Sequence, residues 1–271
     1  MKIYLAVNYI ICLEGVMMQK DEQELMQRYR NFLKDSIRKE IDFSQTDQSQ
    51  GVPVPPIEKP YDHHQKRIEL ISADWEEIYD LKLTSAILNR KSHRNFTDES
   101  LSLMELSFLL WATQGIRLYA GAYAFRQVPS AGCRHTLETY LTIFNVDGVD
   151  EGVYRYLPLT HELLLEFKTD NLKEKMIEAT FHQNFAGESA VTFIWSTIPY
   201  RMEWRYGLDS HKVIALDAGH AGENLYLAVE AIRCGTCAIG AYDQEYLDEL
   251  LRLDGEDEFA IYLFPVGKVE E

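Results

Sequence analysis

Positive charge is concentrated in one short stretch of the sequence, LNRKSHRNFTD, which runs from residue 88 to residue 98. It holds Arg90, Lys91, Ser92 and Arg94, although the whole chain has 27 Lys and Arg against 43 Asp and Glu, a formal net charge of −16. Guanidinium groups bind phosphate through paired hydrogen bonds, and a serine hydroxyl adds a donor. The stretch is therefore a candidate monophosphate site. Taken alone, a solvated basic turn explains these residues equally well.

Two further stretches combine small residues in a way that lets main chain approach a flat ligand. In RQVPSAGCRHT, a proline that restricts the backbone is followed by small side chains, at Pro129, Ser130, Ala131 and Gly132. In CAIGAYD, an apolar predicted strand end leads into Ile239, Gly240 and Ala241. Without a Cβ, glycine leaves room for a planar ring beside the backbone. An ordinary turn has the same composition, so neither stretch is specific by itself.

Several classes of function are disfavoured by composition and by missing motifs. The acidic balance repels phosphate-rich partners, so we expect neither a nucleic-acid nor a membrane partner. The sequence has no G-x-G-x-x-G after a strand, no G-x-x-x-x-G-K-[ST] and no G-x-S-x-G. These absences argue against a dinucleotide-binding Rossmann site, a P-loop and a serine hydrolase.

The cysteines and histidines give no strong metal signal. Cys234 and Cys237 have the spacing of a redox pair, but they follow a predicted helix instead of opening one, which favours two small buried residues. Asp217, His220 and Glu223 share a predicted helix, and no matching carboxylate-histidine motif occurs elsewhere, so we expect a structural role and no metal. Four cysteines form no disulfide framework, so we expect a cytoplasmic protein.

The elements that must position these residues alternate without regular βα units, which favours an α+β fold. The patterns predict helices over 21–40, up to residue 90, from Ser100 or Ser102 to Gly115, over 170–184, over 210–232 and at DQEYLDELLRL; strands are predicted at TLETYLTIFNVDG, EGVYRYLPLTHELLLEF, SAVTFIWST and FAIYLFPVG. The 210–232 helix is apolar or small nearly all round, which predicts burial in the core or in a subunit interface.

The N-terminal part of the chain is expected to form a separate extension. QTDQSQGVPVPPIEKPYDHH carries four prolines in a polar setting, which predicts an extended arm without packed structure of its own. The opening MKIYLAVNYIICLEGVMM is too short to span a bilayer. We predict an N-terminal helix and proline-rich extension over residues 1–74 and a compact domain over residues 75–271.

Together, RKSHRNF, PSAG, AIGAY and the terminal YLFPVGK, in this order and at these separations, resemble the FMN-dependent nitroreductase family. LLWATQGI, GVYRYLP and DAGHAGENLYLAVEA further resemble its SagB-type dehydrogenase branch, which includes azoline oxidases of peptide biosynthesis. The resemblance implies a nitroreductase-like fold, with a central mixed or antiparallel sheet flanked by helices. It also implies a domain-entwined homodimer with two FMN sites at the interface, and NAD(P)H as a possible electron donor.

Position by position, the resemblance assigns Arg90 and Ser92, with Lys91 nearby, to the phosphate and ribityl chain, and Arg94 to the pyrimidine end of the flavin. Pro129, Ser130, Ala131 and Gly132 would cover the cofactor from the partner chain. Main chain at Ile239, Gly240 and Ala241 would pass along the N5 edge, where hydride is transferred. Lys268 is a further candidate for the phosphate.

One departure from the family bears on the reaction. Azoline oxidases of this branch resemble one another in a Lys-Tyr pair, and here the matching residues are Arg205 and Tyr206. Arginine stays charged, so it cannot serve as the base that azoline oxidation needs, whereas Tyr206 remains a candidate catalytic residue. The resemblance therefore implies an FMN oxidoreductase acting on a small-molecule or peptide substrate. Azoline oxidation and a non-catalytic flavin-binding dimer are the alternatives.

Overall fold

The structure, a computed structural model, describes residues 20–72, 75, 78, 80–121 and 123–270. The chain divides into two compact units, residues 1–41 and 42–271, and the smaller one is described from residue 20. The stretch MKIYLAVNYIICLEGVMM lies outside the described residues, so what the sequence predicts for it stays a prediction. Residues 73, 74, 76 and 77 are not described, so the domain boundary predicted after residue 74 stays a prediction. The proline-rich segment belongs to the larger unit.

The smaller unit contains the predicted N-terminal helix, in a shorter form. Helix α1 spans Lys20–Phe32, and a 3-10 turn follows at Asp35–Lys39. Between them Lys34 has an extended backbone, with φ −86° and ψ 153°, so one continuous helix over 21–40 does not form.

The larger unit is built on a seven-stranded antiparallel sheet in the order β1-β6-β5-β4-β7-β9-β8. Its strands are β1 (Arg67–Glu69), β4 (Leu137–Ile143), β5 (Gly152–Leu157), β6 (Glu162–Phe167), β7 (Val191–Thr197), β8 (Cys234–Thr236) and β9 (Phe259–Lys268). A separate hairpin pairs β2 (Ile116–Ala120) with β3 (Tyr123–Arg126). The predicted strands form, and together with the helices they confirm the α+β fold.

Six helices of the larger unit are described: α2 (Leu83–Asn89), α3 (Leu103–Gln114), α4 (Leu172–Ala179), α5 (Tyr200–Tyr206), α6 (Ser210–Ala231) and α7 (Gln244–Leu251). Helix α3 begins with the predicted cap, because the Ser102 side chain accepts from the Glu105 N–H while the Glu105 carboxylate accepts from the Ser102 N–H. Helix α4 ends earlier than predicted. Phe181 and His182 both have positive φ, which a right-handed helix cannot continue.

Helices cover both faces of the sheet. Side chains alternate along β7, so Phe193 and Trp195 join a core with α3 and α6, while Ile194 joins a core with α4 and α7. Every residue of β4 and β7 is buried, including the polar Thr192, Ser196 and Thr197 of β7. The sheet therefore forms a rigid centre from which the loops carrying the candidate residues project.

Helix α6 is buried on one side within this chain, so the predicted burial of its other side in a subunit interface stays a prediction. Gly222 lets it approach the sheet, since a Cβ there would stand 2.7 Å from the Phe264 Cζ. On its other side Leu216, Gly219 and His220 are exposed. The small and apolar residues of this helix thus lie on two faces: one packs against the sheet, and the other is exposed in the single chain.

The proline-rich segment is extended, but it is anchored to the sheet instead of being a free arm. The buried Arg155 donates to the backbone oxygens of Lys59 and Pro60, at 2.8 and 3.3 Å. Glu138, also buried, accepts from the Lys59 N–H at 2.9 Å and pairs with Arg201 at 2.5 Å and Arg155 at 3.7 Å. We call Glu138, Arg155 and Arg201 the buried ionic cluster. Burial raises the pKa of Glu138, but the two arginines outweigh it, so this carboxyl has a lowered pKa.

Candidate functional site

Residues 88–98, which we call the basic segment, run beside strands β8 and β9 at the edge of the sheet. Ser92 forms a parallel bridge with Thr236 at the end of β8, and the His93 N–H donates to the Thr236 oxygen at 2.9 Å. Arg90 caps the C-terminus of α2, where its backbone N–H donates to the backbone oxygen of Ala86 at 2.9 Å. The backbone of this segment is therefore fixed, while its side chains remain accessible to a ligand.

Tyr226 of α6 connects the basic segment to the strand end after β8. Its hydroxyl lies 2.9 Å from the Ser92 Oγ and accepts from the Ala238 N–H at 2.9 Å. The Arg90 guanidinium lies over its ring, 5.1 Å from the centroid. Two stretches that are far apart in sequence thus meet at one tyrosine, which the sequence analysis missed because an aromatic at a helical position looks like any core residue.

Within the described part of the chain, Arg90, Lys91 and Arg94 form no ion pair with a carboxylate. The carboxyl of Glu230 lies within electrostatic reach of Lys91 and Arg90. Burial raises the pKa of this carboxyl, and the charges of Lys91 and Arg90 only partly oppose the shift. In a chain with an excess of acids, this local positive charge is free to bind an anion.

The stretch Ile239 to Ala241 lies against the same region. The Ile239 N–H donates to the Leu263 oxygen at 2.8 Å, and the next residue, Gly240, has open space where a Cβ would project. The Ala241 oxygen accepts from the Gln183 side chain at 2.9 Å. Main chain at Gly240 is therefore fixed on one side and open on the other, as a planar ligand would require.

Two residues next to this stretch had no signal in the sequence. Gln183 holds Ala241, and the ring of Phe185 lies 5.9 Å from the Arg94 guanidinium. Both follow the end of α4: Gln183 lies within the segment predicted to be helical, and Phe185 directly follows it. Only the tertiary structure brings them to the basic segment.

Pro129 to Gly132 lie elsewhere, against the N-terminal half of α6. The Ala131 N–H donates to both carboxylate oxygens of Asp217, at 3.3 and 3.2 Å. Burial raises the pKa of Asp217, opposed by hydrogen bonds from Ser130 and Ala131. Asp217 therefore positions this loop.

Gly132 brings the candidate catalytic residue to this loop. Its φ is +58°, and a Cβ there would stand 2.6 Å from the Tyr206 hydroxyl and 2.8 Å from Cδ and Nε of Arg205. The pair Arg205 and Tyr206, at the end of α5, thus packs on the segment that the resemblance assigns to the flavin cover.

The candidate residues fall into two groups that contact α6 at different positions along its axis. Asp217 marks the group with Pro129–Gly132, and Tyr226 marks the group with the basic segment and residues 239–241. Nine helical residues separate them, which is about 14 Å along the axis. One chain therefore holds the two groups apart, on the same helix.

Lys268 belongs to neither group. Its ammonium is paired with the Glu105 carboxylate and donates to the Ile232 oxygen at 3.3 Å. Burial lowers the pKa of Lys268, but the hydrogen bond to Glu105 outweighs this effect, so its pKa is raised. This lysine is already neutralised by a carboxylate.

Among the residues that the structure describes, no group of three or more His, Cys, Asp or Glu side chains could hold a metal ion. In the same part of the chain, none of the helices combines the length and the apolar character needed to cross a membrane.

The fold agrees with the comparisons to known proteins. The sequence matches the nitroreductase family over residues 87–268, which is more than half of the chain. The chain therefore belongs to the nitroreductase family of oxidoreductases.

Three relatives illustrate the match. A putative nitroreductase of Methanocaldococcus jannaschii is 30% identical over 192 residues, covering 71% of this chain and 93% of that protein. The trifolitoxin-processing protein TfxB of Rhizobium leguminosarum bv. trifolii is 26% identical over 61% of this chain, and the match spans only 46% of TfxB. A crystal structure of a putative nitroreductase from Ralstonia eutropha superposes with a TM-score of 0.64 and 25% identity, covering 81% of this chain and 99% of that one.

Proposed function

We propose that this protein is an FMN-dependent oxidoreductase that binds its cofactor between two copies of the chain. The observation that carries the proposal is the basic segment: Arg90, Ser92 and Arg94 lie beside the open main chain of Gly240, and no carboxylate pairs with either arginine in the described residues. Membership of the nitroreductase family supports flavin as the ligand.

The residues present fit FMN. Arg90 and Ser92 offer a guanidinium and a hydroxyl to the phosphate, with Lys91 nearby. Arg94 adds charge toward the ring, and Ile239 to Ala241 present backbone to it. FMN supplies, when bound, the capacity to accept or give a hydride. The chain's own contribution is to hold the phosphate and to place positive charge near the ring.

Separation of the candidate residues along α6 supports a homodimer. Pro129 to Gly132 contact this helix about 14 Å from Tyr226, so in one chain they stand away from the basic segment. The exposed side of α6, with Leu216 and Gly219, is suited to pack against a second copy. A two-fold dimer around this helix would let the loop of one chain cover the flavin held by the other.

Two measurements test the proposal, first the uptake of FMN and then the reduction of the bound FMN by an electron donor. Purified protein incubated with FMN should be yellow and should retain one FMN per chain after gel filtration, at the mass of a dimer. A colourless protein that takes up no FMN would refute the proposal. Anaerobic addition of NADH or NADPH should then bleach the flavin, which would establish a nicotinamide-driven reductase.

A second candidate function is oxidation of azolines in a modified peptide, as in SagB-type dehydrogenases. Similarity to a trifolitoxin-processing protein supports it, and Tyr206 packs beside the proposed flavin cover. An azoline-containing peptide should in that case bleach the flavin anaerobically without any nicotinamide. If neither the peptide nor a nicotinamide bleaches it, the protein is a flavin-binding dimer without this chemistry.

A further inference from the structure

Arginines without carboxylate partners surround the loop Pro129–Gly132. They are Arg117 on β2, Arg134 just after the loop and Arg205 at the end of α5, and none of the three forms an ion pair within the described residues. In a protein with a formal net charge of −16, a group of arginines that no described carboxylate pairs with is a candidate site for an anion.

Arg205 lies close enough to Arg134 to disfavour the charge of Arg134. Burial, together with the neighbouring charge of Arg205, lowers the pKa of Arg134. Arg134 is held between the rings of Tyr123 and Trp204, at 4.7 and 5.1 Å from its guanidinium carbon, and it donates to the Gly132 oxygen at 3.2 Å. Its position is therefore fixed by aromatic rings and backbone, and no anionic side chain neutralises it.

A cavity of about 520 Å³ opens beside this loop. Arg117, Arg126, Ser130, Gly132 and His135 are among its lining residues. The Arg126 side chain is buried, and three of its hydrogen bonds go to the Gln114 side chain and to the backbone oxygens of Leu137 and Ile57, while its Nε has no partner. The cavity wall thus carries two guanidinium groups, and Arg205 contacts the same wall at Gly132.

The nearby carboxylates are committed to other partners. Glu138 pairs with Arg201 and Arg155 in the buried ionic cluster. Glu58 accepts from the Leu159 N–H at 3.0 Å, and burial raises the pKa of this carboxyl, which disfavours its charge. Asp217 accepts from the Ala131 N–H of the loop, and like the other two acids it forms no ion pair with Arg117, Arg134 or Arg205 in the described residues.

We propose that this cavity is a subsite for the carboxylate of an anionic substrate, bound through Arg117 and Arg205, with Arg134 as a fixed positive charge behind them. The inference rests on the proposed function, because Gly132 belongs to the segment proposed to cover the flavin. It also gives Arg205 a role that arginine performs well: a permanently charged fork for a carboxylate. The chemical class of substrate is an aromatic electron acceptor that carries a carboxylate on the same ring as its reducible group.

The test compares two acceptors that differ in one charge. FMN-loaded protein is reduced with stoichiometric dithionite under anaerobic conditions and mixed with 4-nitrobenzoate or with the neutral 4-nitrobenzamide. Each reaction passes two electrons and two protons to the nitro group, giving the nitroso compound and water. The quantity measured is the ratio of the two second-order rate constants of flavin reoxidation, so that a general loss of reactivity cancels.

We expect the carboxylate acceptor to react about tenfold faster in the unmodified protein, the size of one charge-assisted contact. Arg117→Gln and Arg205→Gln should each bring the ratio toward one, Arg205→Lys should retain most of it, and Arg28→Gln, an exposed arginine of the smaller unit, should leave it unchanged. Calorimetric titration with benzoate and benzamide should show the same order without turnover.

Two results would overturn the inference while leaving the proposed function intact: a ratio near one in the unmodified protein, or a ratio unaffected by both glutamine variants. If Arg205→Gln instead releases FMN, the anion that these arginines serve is the cofactor phosphate, and the substrate assignment fails. A protein that takes up no FMN at all refutes the proposed function and this inference with it.

Discussion

Two groups of arginines in the larger unit differ in what surrounds them. Arg155 and Arg201 are buried, and both pair with Glu138. Arg90 and Arg94 lie on the accessible side of the molecule and pair with no carboxylate in the described residues. Their positions also differ, since the first group fixes the proline-rich segment to the sheet and the second flanks open main chain at Gly240.

This difference separates stability from binding. A buried guanidinium without a partner is strongly destabilising, so each buried arginine of the cluster comes with its carboxylate. An accessible guanidinium costs little when unpaired, because water solvates it, and it remains available to a ligand. We therefore expect substitutions in the buried ionic cluster to change folding, and substitutions in the basic segment to change cofactor affinity.

The largest expected effect is on folding, from Glu138→Gln. Two buried arginines would lose their common carboxylate, which should lower the free energy of unfolding by about 3–5 kcal/mol. Urea denaturation measures this, with the exposed Glu151→Gln as control. A loss below about 1 kcal/mol would contradict the structural role of the cluster.

The next effect concerns acid sensitivity beside the same cluster. Burial, with the charges of Arg126, Arg134 and Arg201, lowers the pKa of His135 from 6.5 to about 3. The unfolded chain therefore takes up a proton near pH 6.5 that the folded chain refuses, and stability falls as the pH drops through this window. Between pH 6.5 and pH 5 the loss should reach about 1.6 kcal/mol.

His135→Gln should remove that loss, whereas His64→Gln, at an exposed position, should keep it. Urea denaturation at pH 6.5 and pH 5 compares the two variants. The chosen window lies above the range in which Glu138, with its lowered pKa, takes up a proton. An unchanged pH profile in His135→Gln would show that this imidazole is not kept neutral.

A third effect sharpens the contrast at the proposed flavin cover. Gly132→Ala places a methyl group against Tyr206 and Arg205 at positive φ, whereas Gly148→Ala has positive φ but open space. The control should lose about 1 kcal/mol through backbone strain alone, and Gly132→Ala should lose about 1–2 kcal/mol more. Equal losses in thermal denaturation would mean that Tyr206 and Arg205 do not pack on this glycine.

The smallest effect is expected at Lys268. Because its ammonium is neutralised by Glu105, Lys268→Gln should weaken FMN binding by less than about fivefold. Fluorescence titration with FMN measures this. A larger loss would mean that Lys268 leaves Glu105 to hold the phosphate, as the sequence resemblance suggested.

Local signals predicted much of the fold. The start of α3 at Ser102, one of the two predicted caps, and the buried strand β7 are visible within a few residues, and both are confirmed. The early end of α4 was not predicted because it depends on positive φ at Phe181 and His182. Neither phenylalanine nor histidine indicates a positive φ by its residue type.

The site was less predictable, because its contacts are long-range. The Ser92 and Tyr226 hydroxyls meet although 134 residues separate them, and Ala131 meets Asp217 across 86 residues. The motifs pointed to the separate stretches, but nothing local shows that Tyr226 joins two of them. Likewise, the partner of Lys268 lies 163 residues away, so the sequence left that ammonium looking free.

The most direct test of the central claim is the affinity of FMN for the double variant Arg90→Gln/Arg94→Gln. Each arginine contributes a charge-assisted contact, so the dissociation constant should rise about a hundredfold, while the thermal unfolding midpoint stays that of the unmodified protein. The Arg28→Gln control should bind FMN normally. Unchanged FMN affinity in the double variant would contradict the assignment of the basic segment to the cofactor.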